Sequence, residues 1–305
     1  MEVVLNTAKT LWYTQPPSEY MSGLPIGTGR LAAMILGTVE RERVALNHEW
    51  LWRGVTRNRD LEKSAHRLQE VRDLLLAGRY EEGTRLGNEA FGGPGGVSKT
   101  PCRVDPYQPA GDLHFSIAHG AVSGYRRELA LDQGLVTVSY EADGVRYRRE
   151  YLAHVKHDLI LVRLSAGKPF SAEFWLSRID DAGCFLRKET STDSLVMDGQ
   201  FHEGIGFRVQ ARVHARGGKA RVAGNKLTVS GARESLVRIN IGTSANGEAP
   251  AHECARHDLP HTNWAGLLAE HARVYRLLYG RLKRDIELPE QDAPTNERMQ
   301  AVRQG

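Results

Sequence analysis

The spacing of apolar positions changes repeatedly along this chain, and each change predicts a different element. Residues 31–37, LAAMILG, form a short apolar run bounded by glycine, which predicts a buried strand, with 42–47 as its pairing partner. From Asp60 to Ala77 the period lengthens. Leu61, Ala65, Leu68, Val71 and Leu75 recur at three- and four-residue steps, as on one face of an amphipathic helix. Gly78 follows at the position where a left-handed C-cap is favoured. Residues 80–90 predict a second, shorter helix. The segment 91–96, FGGPGG, predicts a loop, because glycine and proline at this density hold no regular structure.

Between Tyr107 and Thr243 the pattern is almost entirely that of strands. Val136, Val138 and Tyr140 alternate with polar residues, Asp143-Gly144 follows, and Val145, Tyr147 and Tyr151 continue beyond it. Asp-Gly between alternating apolar residues predicts a hairpin, because a type I′ turn needs positive φ at both central positions. Gly224-Asn225 repeats the device between 220–223 and 226–230. With 158–164, 205–215 and 234–243 these make many short strands without intervening helices, the pattern of an antiparallel sandwich.

After His261 the helical period returns. Trp264, Leu267, Leu268, His271, Val274, Tyr275, Leu278 and Leu282 form one apolar stripe. Pro289 and Pro294 bracket a linker, and Thr295 is placed to cap a last helix from Asn296, with Glu297 in its first turn. That helix has barely begun at Gly305, the pattern of a chain that continues. The expected fold is therefore mainly β, with a helical insertion near 60–90 and C-terminal linker helices. The expected division is 1–255 for the sandwich and 256–305 for the helical linker.

Composition narrows the function classes. The chain has 305 residues, a formal charge of +4 and a pI near 9.0. Its basic residues are interleaved with acidic ones, as in Glu40-Arg41-Glu42-Arg43, and Arg146-Tyr147-Arg148-Arg149 alternates faces on a strand. That reads as a charge-mixed surface rather than a nucleic-acid footprint. No apolar run reaches the roughly 18 residues of a transmembrane helix. The N-terminus lacks the basic and apolar regions of a signal peptide. Cys102, Cys184 and Cys254 are few and widely spaced, so a disulfide framework is not expected and a cytoplasmic location is.

Several groupings of chemical residues stand out along the chain. Gly23-x3-Gly27-x-Gly29-Arg30 lacks the Lys-Ser/Thr of a phosphate loop, and its glycines read as turn and packing residues. His252, Cys254, His257 and His261 carry metal-ligand types but match no closed zinc spacing, and read as a surface connection. Asp180-Asp181 and Glu81-Glu82 are sequence neighbours whose side chains diverge, which does not suit a catalytic pair. Residues 47–54, NHEWLWRG, place two indoles, an amide, an imidazole, a carboxylate and a guanidinium together. They suit either a carbohydrate cleft or a packed corner where two domains meet.

Ordered segments of the chain resemble glycoside hydrolase family 95, the α-L-fucosidase and α-L-galactosidase family. Leu11-Trp12-Tyr13 is similar to its opening segment. LPIGTGRL at 24–31 is similar to L-P-I-G-N-G-R-L, with Thr28 in place of Asn. LNHEWLW at 46–52 resembles L-N-E-D-T-L-W and differs at His48 to Trp50. YQPAGDL at 107–113 resembles Y-Q-P-L-G-D-L. Tyr125-Arg126-Arg127-Glu128-Leu129 through Tyr151 resembles the family's Y-R-R-E-L-D-L to R-E-Y block, and Ala293 to Arg298 its L-P-T-D-E-R-L segment.

The resemblance implies an antiparallel β-supersandwich, then helices leading to an (α/α)6 catalytic barrel in the same chain. It also implies inverting hydrolysis of terminal α-L-fucosyl or α-L-galactosyl units of fucosylated glycans, without a metal or other cofactor. The reacting groups belong to the barrel, so no catalytic residue is expected in 1–305, which is expected to be inactive alone. Arg30, Asn47 and Trp52 are the candidate carbohydrate-cleft or domain-interface residues. A stand-alone glycan-binding sandwich is the second reading and a nucleic-acid-binding sandwich the third. Neither nucleic acid nor membrane is an expected partner.

Overall fold

The computed structural model describes residues 9–55, 64–92, 105–259, 263–282 and 293–304. Most of the loop expected at 91–96, the start of the first expected helix and His261 lie outside the described residues. The chain divides into two compact units, one of Met1–Leu51 with Pro109–Gly305 and one of Trp52–Gln108.

The larger unit is built on a 14-stranded antiparallel sheet. Its strands are β1 (Thr10–Tyr13), β2 (Leu24–Gly27), β3 (Leu31–Ile35), β4 (Arg41–His48), β5 (Gly111–Ile117), β6 (Val122–Ala130) and β7 (Leu135–Ala142). They continue with β8 (Val145–His154), β9 (Leu159–Ser177), β10 (Cys184–Thr190), β11 (Ser194–Phe201), β12 (Gly206–Arg216), β13 (Lys219–Ala223) and β14 (Lys226–Thr243). The strands expected at 31–37 and 42–47 are β3 and β4, paired from Leu31↔His48 to Ile35↔Val44. The hairpin at Asp143-Gly144 joins β7 to β8 with φ of 52° and 66°, as a type I′ turn requires. Gly224 turns β13 into β14 with φ of 60°.

Two long strands turn this sheet into a sandwich. The first half of β9 pairs with β8, and its second half pairs with β5. β14 pairs with β9 from Leu227 to Ile239, and on its other side with β13 at its start and β12 at its end. The register slips on both sides of Ala232, beside Gly231 with its φ of 70°. Such bulges bend and twist a strand pair. One arm therefore runs β1-β6-β7-β8-β9-β14-β12-β11-β10, and the other runs β2-β3-β4-β5-β9-β14-β13. β2 and β3 pack across the core against β7 and β8. Leu24, Leu31, Ile35, Leu46, Val138 and Val162 meet there, all fully buried.

Strand alternation also builds a second apolar layer. Ile160, Val162 and Leu164 of β9 face the main core, whereas Leu159 and Leu161 face away from it. They join Leu135, Leu152 and Leu236 beneath helix α4 (Trp264–Tyr279), which buries Trp264 and Leu267 against them. Asn263 caps α4 by accepting from the Gly266 N–H. The apolar stripe expected through Leu282 is buried only in its first half. Leu278 and Leu282 are exposed, at 46% and 74%.

Three local readings change. The region around His252 is a helix, α3 (Pro250–Arg256), which begins on proline, a residue favoured at the first helical position. Thr295 is the first residue of α5 (Thr295–Gln304), and its hydroxyl accepts from the Trp12 N–H of β1 at 2.9 Å. The N–H groups of Glu297 and Arg298 go to the Pro294 carbonyl instead. In the smaller unit α1 (Leu68–Leu76) has 9 residues and α2 (Tyr80–Phe91) has 12, so among the described residues the second helix is the longer one. A 3₁₀ turn at Ala65–Arg67 precedes α1, within the span of the expected first helix. Gly78 has the expected positive φ, 74°. No helix among the described residues is long and apolar enough to cross a membrane.

Candidate functional site

Arg30 stands in the turn between β2 and β3. Gly29 has a φ of 105° there, and the Thr28 N–H reaches the Leu31 carbonyl at 2.9 Å, so the glycines serve a tight hairpin. The Arg30 guanidinium then ties three segments together. Nε donates to Asp158, at the turn between β8 and β9, and Nη1 donates to Glu253 of α3. Nη1 also lies 2.9 Å from Nε2 of His48, the last residue of β4. Thr28 donates its hydroxyl proton to the other Asp158 oxygen at 2.6 Å and accepts from the Leu31 N–H at 3.0 Å. The second Glu253 oxygen accepts from the Thr243 N–H at 2.7 Å. Asp158 has a φ of 52°, a left-handed conformation that costs a non-glycine residue free energy. Its two carboxylate bonds hold it there.

His48 is fully buried, and its Nδ1 accepts from the Trp50 N–H at 3.1 Å. Burial, and after it the Arg30 charge, push the His48 imidazole down to about 4, against the opposing pull of Asp158. The ring is therefore neutral near pH 7. In this cluster the two carboxylates share one guanidinium, and each accepts a further bond from the protein. The arrangement suits a clamp, not proton transfer to a substrate.

The three candidate residues do not form one site. Asn47 is half-buried and opposite Ala32 of β3, on the face of β4 that turns away from His48. Trp52 belongs to the smaller unit. There it forms an isolated antiparallel bridge with Tyr107, and the two rings meet edge-on, with centroids 5.2 Å apart at 65°. Both rings are about half exposed, 49% and 42%. The Arg53 N–H donates to the Pro106 carbonyl at 3.0 Å, and a Cβ on Gly54 would fall 2.0 Å from the Asp105 carboxyl carbon. Any larger residue at 54 would need the Asp105 carboxylate to move aside. Two half-exposed aromatic rings beside a guanidinium and the Gln108 amide are suited to stacking on sugar C–H faces and bonding hydroxyls.

The other groupings separate. Asp181 accepts from Arg178 and the Gly183 N–H, and Glu82 pairs with Arg79 along α2. Cys254 is buried against the Arg208 carbonyl, His252 is exposed, and His257 lies 3.2 Å from the His157 carbonyl. Burial raises the Cys254 thiol to about 12, far from a reactive thiolate. Sequence patterns did not reveal Asp158 and Glu253 as the partners of Arg30, since neither sits in a motif. Tyr107 did stand in one, YQPAGDL, and its partner Trp52 in another.

The chain matches the family model described as glycosyl hydrolase family 65, N-terminal domain, over residues 11–248. It is 26% identical over 335 aligned residues to "Alpha-L-fucosidase 2" of Arabidopsis thaliana, covering 97% of this chain and 38% of that protein. It is 27% identical over 173 residues to "Probable alpha-fucosidase A" of Aspergillus niger, covering 52% of this chain and 20% of that protein. The chain thus spans well under half the length of these relatives. Among solved structures, a putative kojibiose phosphorylase from human microbiome superposes with a TM-score of 0.51 at 9% identity, over 89% of this chain and 39% of that one. That likeness concerns the fold alone.

Proposed function

Because the chain belongs to the glycosyl hydrolase family 65 N-terminal domain family, and so is a glycoside hydrolase N-terminal domain of the family 65/95 type, we propose that it serves a family 95-type enzyme. That enzyme would remove terminal α-L-fucosyl or α-L-galactosyl units from glycans with inversion. The catalytic (α/α)6 barrel would be its partner within the same chain. Residues 1–255 would form the sandwich that covers one side of the barrel, and 256–305 the helices that connect them.

The observation that carries the non-catalytic part of this reading is the use made of Arg30. The charged side chain of the LPIGTGRL segment is committed to Asp158 and Glu253 of its own unit. The alignment of 97% of the chain with an α-L-fucosidase supports the substrate class. A cytoplasmic location belongs to the same reading and is supported by the few, widely spaced cysteines. The test is hydrolysis of an aryl α-L-fucoside by residues 1–305 alone. No turnover is expected, and turnover abolished by a substitution within the sandwich would overturn the reading.

The half-exposed Trp52–Tyr107 pair favours one second reading, a glycan-binding sandwich that acts on its own. It requires saturable fucoside binding that weakens in Trp52→Ala while the fold persists. Equal affinity in that variant would remove Trp52 from the site.

A further inference from the structure

Three side chains that no sequence pattern grouped meet beneath helix α4. His154 ends β8 and is fully buried, His157 lies in the turn to β9, and Glu270 projects from α4. One ligand atom from each lies within 4.8 Å of the other two. Glu270 Oε2 stands 2.7 Å from His157 Nε2 and 3.7 Å from His154 Nε2. The geometry points to a divalent transition-metal site, zinc being the best match, formed by His154, His157 and Glu270.

The donor set and spacing support this assignment. Two imidazoles and a carboxylate are borderline ligands that suit zinc and leave a fourth position for water. Zinc–nitrogen and zinc–oxygen bonds of about 2.0–2.2 Å place tetrahedral ligand atoms roughly 3.3–3.5 Å apart. The 3.7 Å separation is already close to that edge, and the 2.7 Å contact needs to open by less than an ångström. His154 Nε2, the nitrogen that faces Glu270, also lies 3.1 Å from the Leu267 carbonyl, a contact that ligation of an ion at Nε2 would replace. Lys156 also bonds Glu270, at its other oxygen, from a side chain that is half exposed and can swing into water. A bound ion would fasten α4 to the end of β8, beside the apolar contact of Leu267.

The full 305-residue chain, stripped with a chelator, is to be titrated with zinc by calorimetry, with its thermal midpoint followed in parallel. One zinc per chain and a raised midpoint are expected. His157→Ala and Glu270→Gln change side chains about one-quarter exposed, so the fold should tolerate them. Each should weaken binding by more than the roughly 10–100-fold typical of losing an outer partner of a metal ligand. Lys156→Ala removes a competing cation and should tighten it. Absence of binding by the unaltered chain overturns the assignment. So does affinity unchanged in folded His157→Ala and Glu270→Gln, or weakened in Lys156→Ala.

Discussion

Glu42 and Arg149 form a salt bridge at 3.3 Å with both side chains essentially removed from solvent, 0% and 1% exposed. They come from β4 and β8, 107 positions apart, and their neighbours complete the pair. Glu42 also accepts from the Gly37 N–H at 2.8 Å and the Tyr151 hydroxyl at 3.0 Å. Arg149 donates to the Thr38 and Val39 carbonyls and to the Tyr140 hydroxyl. Burial pushes the Glu42 carboxyl above its ordinary range, against the Arg149 charge and these hydrogen bonds. Removing one member leaves the other charged or unsatisfied in the core. Arg149→Ala is expected to cost roughly 3–5 kcal/mol in urea unfolding. Glu42→Gln combined with Arg149→Met should recover part of that loss, and additive costs would show that the two residues are not coupled.

Arg30 is expected to matter for stability in proportion to the segments it joins. Arg30→Ala strands Asp158 in its left-handed turn and unties Glu253 from the β2–β3 hairpin. A loss of about 1–3 kcal/mol is expected from unpaired, half-buried polar groups. An unfolding midpoint equal to that of the unaltered chain would show the clamp to be energetically idle.

The pH dependence follows from His48. Its folded-state value, about 4, lies below the ordinary 6.5, so the unfolded chain binds the proton more readily between these limits. The neutral ring's contribution is fully present above about 6.5 and is lost as pH falls toward 4. Arg30, Asp158 and Glu253 surround this ring and remain in place in His48→Gln. The difference between the two stability curves should therefore shrink on acidification, by at most roughly 3 kcal/mol. Parallel curves from pH 7 to pH 4 would dismiss the effect.

Helix α4 buries its apolar stripe at one end only. Leu267 is buried among Leu135, Leu159 and Leu161, so Leu267→Ala should cost about 2–5 kcal/mol. Leu278 is 46% exposed, and Leu278→Ala should change stability by less than about 0.5 kcal/mol in the same chain. Amide exchange in α4 should accelerate in the first variant and stay unchanged in the second.

Much of the fold was legible because its causes are local. Alternation set the strands, Asp143-Gly144 set the β7–β8 hairpin through its positive φ values, and a 3.6-residue stripe set α4. The ordered motifs pointed to the glycoside hydrolase N-terminal domain. The candidate residues fared differently. Arg30 meets Asp158 and Glu253 across 128 and 223 positions, and Trp52 meets Tyr107 through a bridge that closes the smaller unit. No local period encodes such partners.

The sequence by itself determined which residues face inward, because side-chain direction follows from backbone period and turn chemistry within a few positions. Arg149 shows the limit. Alternation places it with Tyr147 on the inward face, yet an arginine there reads as surface until Glu42 is seen opposite. Only the tertiary structure decided such partners. Strand order brings distant residues together, and the cost of burying a charge is offset by groups that the order of strands supplies.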